Sequence, residues 1–284
     1  MSTGKIKTVA EATFDRMNEC SKELAKQFLK SVRSIYGSTK YGKPSHIGSG
    51  VLISYGSNKI LLTAAHVMDH NELTTLYISG ERSLVSLTGH CSLTVAPNGN
   101  RRMDKLDFAL LLLSDETIQK MGQVEYLDEH QFQVTDLPPN ERCCLALGFP
   151  NSRNKRCNNT NMKVKQEPFV YTSVLKTDDF LYRSLSANPA YHYLLDYCSN
   201  HSKDEENNTV NSVSPKGVSG GGLFLIEGMA NPESYKPNAK CNGKLLGILI
   251  EYHKNEKVLL FTKLSVVLKY LQENNITSPQ ATDT

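Results

Sequence analysis

A series of short apolar segments, each bounded by polar turns, most constrains the fold of this chain. From Gly48, "GSGVLISYGSNKILLTAAHV" has the pattern of a strand, a turn and a second strand. The later segments are "LTTLYIS", "RSLVSLTG", "DFALLLLS", "CCLALGFP", "MKVKQEPFVYTSVLK", "YHYLLDY", "GGLFLIEG", "KLLGILIEY" and "KVLLFTKL". Many short strands are typical of β-sandwiches and barrels. A long break that ends near Pro138 and Pro139 divides them into two sets, which predicts two β lobes.

Helices are predicted at both ends of this β region. Apolar residues at three- and four-residue steps predict a helix over 8–35, with Gly37 as its stop. Its apolar stripe must pack either on the body of the protein or on a partner. "LSVVLKYLQENN" predicts a C-terminal amphipathic helix, and the polar run 199–212 predicts an exposed loop. We divide the chain into a helical extension (1–37), a first barrel lobe (38–135), a second barrel lobe with the C-terminal helix (136–275) and a disordered tail (276–284).

Composition excludes several classes of function. The 284 residues include 32 Lys and Arg against 29 Asp and Glu, and a net charge of +3 is too small to indicate a nucleic-acid partner. There is no run of 18 apolar residues to predict a membrane span, and the N-terminus lacks the pattern of a secretory signal. Seven scattered cysteines then predict reduced thiols and a cytoplasmic location. The adjacent pair Cys143 and Cys144 does not have zinc-ligand spacing, so no metal is expected.

The glycine-rich stretch "PKGVSGGGLF" surrounds Ser219 and has two readings. It could be a loop entering a strand, because glycine is the usual residue of tight turns. It could also present the backbone N–H groups of Gly217 and Ser219 to a developing negative charge. The second reading requires a histidine and a carboxylate elsewhere in the chain.

Two residues in the first β set meet that requirement. His66 directly follows the apolar run "ILLTAA", so a packed strand would hold it in place. Asp107 immediately precedes the apolar strand "FALLLL", where a charge is costly unless it is paired. Each could instead be structural, and Asp104, in a more polar setting, is the reserve candidate for the carboxylate.

Together, "LLTAAHV", "LDFALL" and "GVSGGG", in the order His, Asp, Ser, resemble the trypsin-like serine peptidases of the chymotrypsin fold. The resemblance extends over about residues 45–273 and includes "LGFP" at 147–150. It implies two six-stranded antiparallel β-barrels. It also implies a triad of His66, Asp107 and Ser219, an oxyanion hole from Gly217 and Ser219, and no cofactor.

The chain departs from that family at two positions beside the serine. Val218 replaces the aspartate that pairs with a cleaved N-terminus in digestive members, so activation by such cleavage is not expected. Gly222 replaces the usual proline. The site would then be preformed or shaped by a partner, as in bacterial and intracellular high-temperature-requirement-type members. By the same resemblance, Val213 would form the base of the specificity pocket, and Ile250, Glu251 and Tyr252 its wall.

Three hypotheses follow for the function. The first is an endopeptidase acting on protein or peptide substrates and regulated by a partner at the N-terminal helix. The second is a catalytically silent module of the same fold that binds proteins as a scaffold. The third, a cysteine nucleophile at Cys143 or Cys144, has little support, because neither residue lies in a glycine-rich turn.

Overall fold

The computed structural model describes residues 7–154, 157–158, 163–164, 166–198, 202–203, 209–236 and 238–274, and the predicted disordered tail lies outside these ranges. Two β-sheets form the body, one in each predicted lobe, and helices lie before and after them. This confirms the predicted chymotrypsin-like fold class. None of the described helices is both long enough and apolar enough to cross a membrane.

The first lobe is a curled sheet of seven strands in the order β5-β4-β1-β2-β3-β7-β6. The prediction of six strands in a closed barrel is therefore wrong for this lobe, because seven strands pair in an open order with β5 and β6 at the two edges. The strands are β1 (Val32–Ser38), β2 (Pro44–Tyr55), β3 (Asn58–Ala64), β4 (Tyr77–Ser79), β5 (Leu84–Ser86), β6 (Gly89–Leu93) and β7 (Phe108–Leu113). The interior strand β3 is buried along almost its whole length between β2 and β7.

The second lobe is a closed barrel of six strands in the order β11-β12-β17-β16-β15-β8, as predicted. These strands are β8 (Cys143–Gly148), β11 (Phe169–Lys176), β12 (His192–Asp196), β15 (Gly222–Ile226), β16 (Gly243–His253) and β17 (Val258–Lys263). Two small hairpins lie outside the barrel, formed by β9 (Cys157–Asn158) with β10 (Lys163–Val164) and by β13 (Ser202–Lys203) with β14 (Thr209–Val210). The second of these hairpins lies within the predicted exposed loop.

Within the described residues, six α-helices accompany the sheets: α1 (Val9–Phe28), α2 (Ala65–Met68), α3 (Asp115–Met121), α4 (Asn151–Asn154), α5 (Asp179–Ser184) and α6 (Leu264–Glu273). A capping box of Thr8 and Glu11 begins α1, since each side chain accepts a hydrogen bond from the other residue's backbone N–H. The predicted end of this helix is wrong. It stops at Phe28, and Val32 and Ile35 belong to β1, where β-branched residues fit a pleated sheet.

The apolar side of α1 packs on the second lobe, which answers the question that the sequence left open. Phe28 stacks on Phe224 of β15 with ring centroids 4.3 Å apart. Buried Arg16 donates hydrogen bonds to the backbone oxygens of Ala239 and Lys240, and the Ser21 hydroxyl contacts Thr172 of β11 at 2.6 Å. The helix is therefore part of the protein's core.

A disulfide between Cys20 and Cys241 joins α1 to the segment before β16. The expectation of reduced thiols is wrong for this pair, because scattered sequence positions concealed that the fold brings the two sulfurs together. Cys91, Cys143 and Cys144 are free thiols. Both Cys143 and Cys144 are buried in β8, and burial raises the pKa of each thiol above its ordinary value, which disfavours the thiolate needed for a cysteine nucleophile.

Candidate active site

The strand β3 ends where α2 begins, and this junction positions His66. Ala64 and Ala65 are fully buried, so the backbone that carries the histidine is anchored in the first lobe. The His66 side chain keeps 36% of its surface exposed, which leaves the ring accessible from solvent. The prediction of an anchored ring at a strand end therefore agrees with the structure.

Asp107 lies against His66 at the start of β7. One carboxylate oxygen, Oδ2, is 2.6 Å from His66 Nδ1, and the other, Oδ1, accepts a hydrogen bond of 2.9 Å from the His66 backbone N–H. This contact occupies Nδ1, so Nε2 is the ring nitrogen that is left for another partner. Burial raises the pKa of Asp107, and the hydrogen bonds from His66 oppose that rise.

Asp104, the reserve candidate, does not contact His66. Its Oδ1 accepts hydrogen bonds from the backbone N–H groups of Leu106 (3.1 Å) and Asp107 (3.0 Å). Its Oδ2 is paired with Arg101 at 2.6 Å. Asp107 has a φ of 40°, a left-handed conformation that costs energy for a residue other than glycine. Asp104 therefore stabilises the turn that aims Asp107 at the histidine.

Arg101 connects that turn to the helix carrying His66. Its Nε and Nη2 donate to the two carboxylate oxygens of Asp69, at 2.8 and 2.9 Å, while Nη1 donates to Asp104. Asp69 begins the 3₁₀ turn that follows α2. A two-pronged guanidinium bond of this kind is both strong and specific in direction. Sequence reasoning missed Arg101, because it lies in an ordinary polar segment.

Ser219 lies in a tight loop between the two lobes. The Ser219 carbonyl oxygen accepts a hydrogen bond of 2.8 Å from the backbone N–H of Ser49 on β2. Gly220 has a φ of 82°, and a Cβ atom there would lie 2.0 Å from the Ser49 carbonyl oxygen. Only glycine fits this close approach, so the glycine after the serine is required for the two lobes to meet.

The same contacts place the Ser219 backbone next to the helix that carries His66. Gly48 lies between them: a Cβ atom there would be 2.6 Å from the Val67 side chain and 3.1 Å from the Ser219 carbonyl oxygen. His66 immediately precedes Val67 in α2. The fold therefore brings to one junction all three sequence segments in which candidates were predicted.

The backbone N–H groups of Gly217 and Ser219 are the predicted oxyanion donors. Within the described ranges, neither donates a hydrogen bond to a protein acceptor, whereas the N–H groups of Val218, Gly220 and Gly221 all do. Gly217 has a φ of 92°, in the region that favours glycine. Two unpaired donors beside a serine are suited to bind a carbonyl oxygen that gains negative charge.

The four predicted specificity residues lie in three different settings. Val213 and Tyr252 are brought together by Tyr197, whose hydroxyl donates to the Val213 carbonyl oxygen at 2.8 Å and whose ring meets Tyr252 edge-on at 5.2 Å. Ile250 is buried, so its side chain faces the core and not a pocket. Glu251 is half-buried and pairs with His253 at 2.8 Å, and this bond lowers the pKa of the Glu251 carboxyl.

Two further residues at this junction were not predicted. His46 on β2 and Asn151 at the start of α4 are in contact, with His46 Nδ1 2.5 Å from Asn151 Oδ1. His46 lies in a polar, loop-like stretch of the sequence, and Asn151 directly follows the "LGFP" bend. The only signal in the sequence was the position of each residue beside a motif. Within the described residues, no cluster of His, Cys, Asp and Glu is arranged to hold a metal ion.

Comparison with known proteins identifies the family. The trypsin family model matches residues 30–249. No curated protein matches the chain. A solved structure concerning the coupled folding and binding of the intrinsically disordered Sesbania mosaic virus VPg protein is 15% identical, with a TM-score of 0.46 over 85% of this chain and 90% of that chain. A catalytically inactive tobacco etch virus protease complexed with substrate is 10% identical, with a TM-score of 0.46 over 90% and 87%. The match along most of its length shows that the chain belongs to the trypsin family.

Proposed function

We propose that this protein is a serine endopeptidase that cleaves peptide bonds in protein substrates. The observation that carries the proposal is the double hydrogen bond from His66 to Asp107, located beside the Ser219 loop. In the proposed reaction, Ser219 Oγ bonds to the substrate's carbonyl carbon while His66 Nε2 takes the hydroxyl proton. The N–H groups of Gly217 and Ser219 stabilise the oxyanion. His66 returns the proton to the leaving amine as the C–N bond breaks, and water then releases the acyl group by the same steps.

The end of β16 offers a place for the substrate backbone. The pairing of β16 with β15 ends at Ile248, whereas its pairing with β17 continues to His253. Residues 250–253 therefore have one edge that no strand of the barrel covers. An extended peptide can add to such an edge through main-chain hydrogen bonds. Val213 and Tyr252 would then form an apolar side-chain pocket, which favours uncharged residues over Arg or Lys.

We further propose that the site works without a cleaved N-terminus, in the manner of high-temperature-requirement-type peptidases. Val218 supports this proposal because it is buried among apolar side chains of the second lobe and offers no carboxylate to pair with an amine. A cytoplasmic location, a bacterial source and regulation by a partner remain predictions. Since the apolar face of α1 is covered by the second lobe, such a partner would contact the charged outer face of the helix.

A fluorophosphonate probe tests the proposed function, because it bonds covalently only to an activated serine. We expect one adduct per chain by intact-protein mass spectrometry, lost in Ser219→Ala and in His66→Ala. Ser83→Ala, a change at an exposed serine in a first-lobe turn, is the matched control and should label normally. If the parent protein is not labelled, with or without candidate partners, the endopeptidase proposal fails and the silent binding module is favoured.

A further inference from the structure

The pair formed by His46 and Asn151 lies outside the proposed triad but is fixed in the structure. His46 is buried, and its ring meets Tyr36 edge-on at 5.2 Å. The amide oxygen of Asn151 can only accept a hydrogen bond, so Nδ1 of His46 carries the proton and donates it. Burial lowers the pKa of His46 to about 4, so the ring is neutral near pH 7. The first lobe thus holds the Asn151 side chain in one orientation.

Asn151 in turn contacts the oxyanion loop at two points. Its backbone N–H donates a hydrogen bond of 2.8 Å to the carbonyl oxygen of Lys216. Its side chain lies against Gly217, where a Cβ atom would be 2.1 Å from Asn151 Oδ1. The side chain therefore forms a wall beside the Gly217 backbone.

These contacts determine the direction of the Gly217 N–H. The Lys216 carbonyl and the Gly217 N–H belong to one planar trans peptide, so they point in opposite directions. Because the carbonyl oxygen is bonded to Asn151, the N–H must point to the other side. In the described part of the chain it meets no protein acceptor there. A turned peptide would instead withdraw the N–H from the site.

We propose that Asn151, held by His46, is a positioning residue that keeps the Gly217 N–H aimed at the substrate's carbonyl oxygen, so that the oxyanion hole is formed before a substrate or partner binds. This inference rests on the proposed peptidase function. It explains how the loop is organised although Val218 supplies no carboxylate. The two residues that orient the Gly217 N–H come from separate elements, β2 and α4, which meet at the junction between the lobes.

Asn151→Ala tests the side-chain wall, because the substitution keeps the backbone N–H but removes the contact with Gly217. We expect kcat on a peptide amide substrate to fall about 10- to 100-fold with KM changed less than about 3-fold, since the affected contact forms only in the transition state. Inhibition by a peptide aldehyde, whose adduct carries an oxyanion, should weaken by about the same factor. Ser152→Ala, at an exposed neighbour in α4, should match the parent. A kcat within about 2-fold of the parent overturns the proposal.

A second pair of variants tests His46. Gln at this position can still donate a hydrogen bond to Asn151, whereas Phe has similar bulk and no donor. We expect His46→Gln to keep most of the parent kcat and His46→Phe to lose about as much as Asn151→Ala. If kcat falls equally in the two variants, and in proportion to their loss of thermal stability, the role of His46 is purely structural and the proposal is overturned for this residue.

Crystal structures of the parent and of Asn151→Ala give a readout that does not depend on turnover. We expect the Lys216 carbonyl to face Asn151 in the parent and the 216–217 peptide to turn or take two orientations in the variant. An unchanged peptide in the variant overturns the inference. If the parent takes up no fluorophosphonate, the proposed function fails separately, and this structural comparison still decides what positions the loop.

Discussion

Asp104 and Asp107 are three residues apart and have different partners, which separates their expected effects. Asp107→Asn places an amide beside His66 Nδ1 and favours the wrong tautomer, so turnover should fall on the order of 10⁴-fold. Asp104→Asn keeps an oxygen for the N–H of Asp107 but loses the charge that faces Arg101. We expect it to lower the free energy of unfolding by about 1.5–3 kcal/mol. Steady-state kinetics and urea unfolding of both variants check these expectations. Equal losses of turnover in the two variants would contradict them.

His46 should make the stability of the protein depend on pH. Unfolded, its imidazole takes up a proton as the pH falls through its ordinary pKa of 6.5, whereas in the folded protein burial lowers that pKa to about 4. Between these values the unfolded state binds more protons, so the free energy of unfolding falls as the pH falls, by about 1.4 kcal/mol per pH unit.

The matched comparison for this effect is His46→Gln, which removes the titrating group. Urea unfolding from pH 7 to pH 4.5 should show a shallower decline in the variant than in the parent. His192, whose pKa burial also lowers, contributes equally to both proteins and cancels in the difference. If the free energy of unfolding declines equally with falling pH in the parent and in His46→Gln, the lowered pKa of His46 is contradicted.

At the scale of residues, the sequence could predict that the segments of His66, Asp107 and Ser219 meet at one junction, because each lies in a local motif that reflects its backbone setting. It could not predict Arg101, His46 or Asn151. Arg101 and Asp69 are 32 residues apart, His46 and Asn151 are 105 residues apart, and no local pattern records such a contact. Ile250 shows the opposite error, because its motif position suggested a pocket wall whereas a β-bulge beside Leu249 accompanies its burial.

At the scale of elements, α1 gains its stability from the strands it covers. Phe28 has no exposed surface and stacks on Phe224, so Phe28→Ala should lower the free energy of unfolding by about 3–5 kcal/mol. Val9, at the other end of the helix, is 84% exposed. Val9→Ala should therefore change the free energy of unfolding by less than about 0.5 kcal/mol. Urea unfolding measures both. A similar small loss in both variants would mean that α1 is only loosely attached.

The ends of elements were harder to predict than their existence. The apolar spacing in 8–35 continues past Phe28, because Val32 and Ile35 are buried in a strand that happens to extend the helical spacing. The strands of the second lobe were predicted well, since each is a short apolar run between turns. The strands of the hairpin β4-β5 have three residues each, and the predicted segments there were longer than the strands that form.

At the scale of the whole molecule, the two lobes exchange hydrogen bonds beside the site. Thr262 of β17 donates its hydroxyl to the Leu106 carbonyl oxygen at 2.5 Å, and His192 of β12 lies 2.7 Å from the Lys105 carbonyl oxygen. Since Nδ1 of His192 accepts from the Asn188 N–H, Nε2 carries the proton and donates to Lys105. The second lobe thus holds the segment that leads into Asp107.

Thr262→Val tests this coupling, because it leaves the Leu106 carbonyl oxygen without its donor. We expect the free energy of unfolding to fall by about 1–3 kcal/mol and turnover to fall as well, since Leu106 adjoins Asp107. Thr75→Val, at an exposed position in the first lobe, is the control and should change neither quantity. A loss of stability with unchanged turnover would show that the contact does not reach the site.

The packing of α1 on the second lobe also means that the helix is synthesised well before the strands it packs against. The helix is translated before the strands that cover its apolar face, and the Cys241 that bonds to Cys20 follows 221 residues later. The nascent chain must therefore carry this amphipathic segment uncovered until the strands of the second lobe have been translated. Cellular factors that recognise exposed apolar helices have that whole interval in which to bind it.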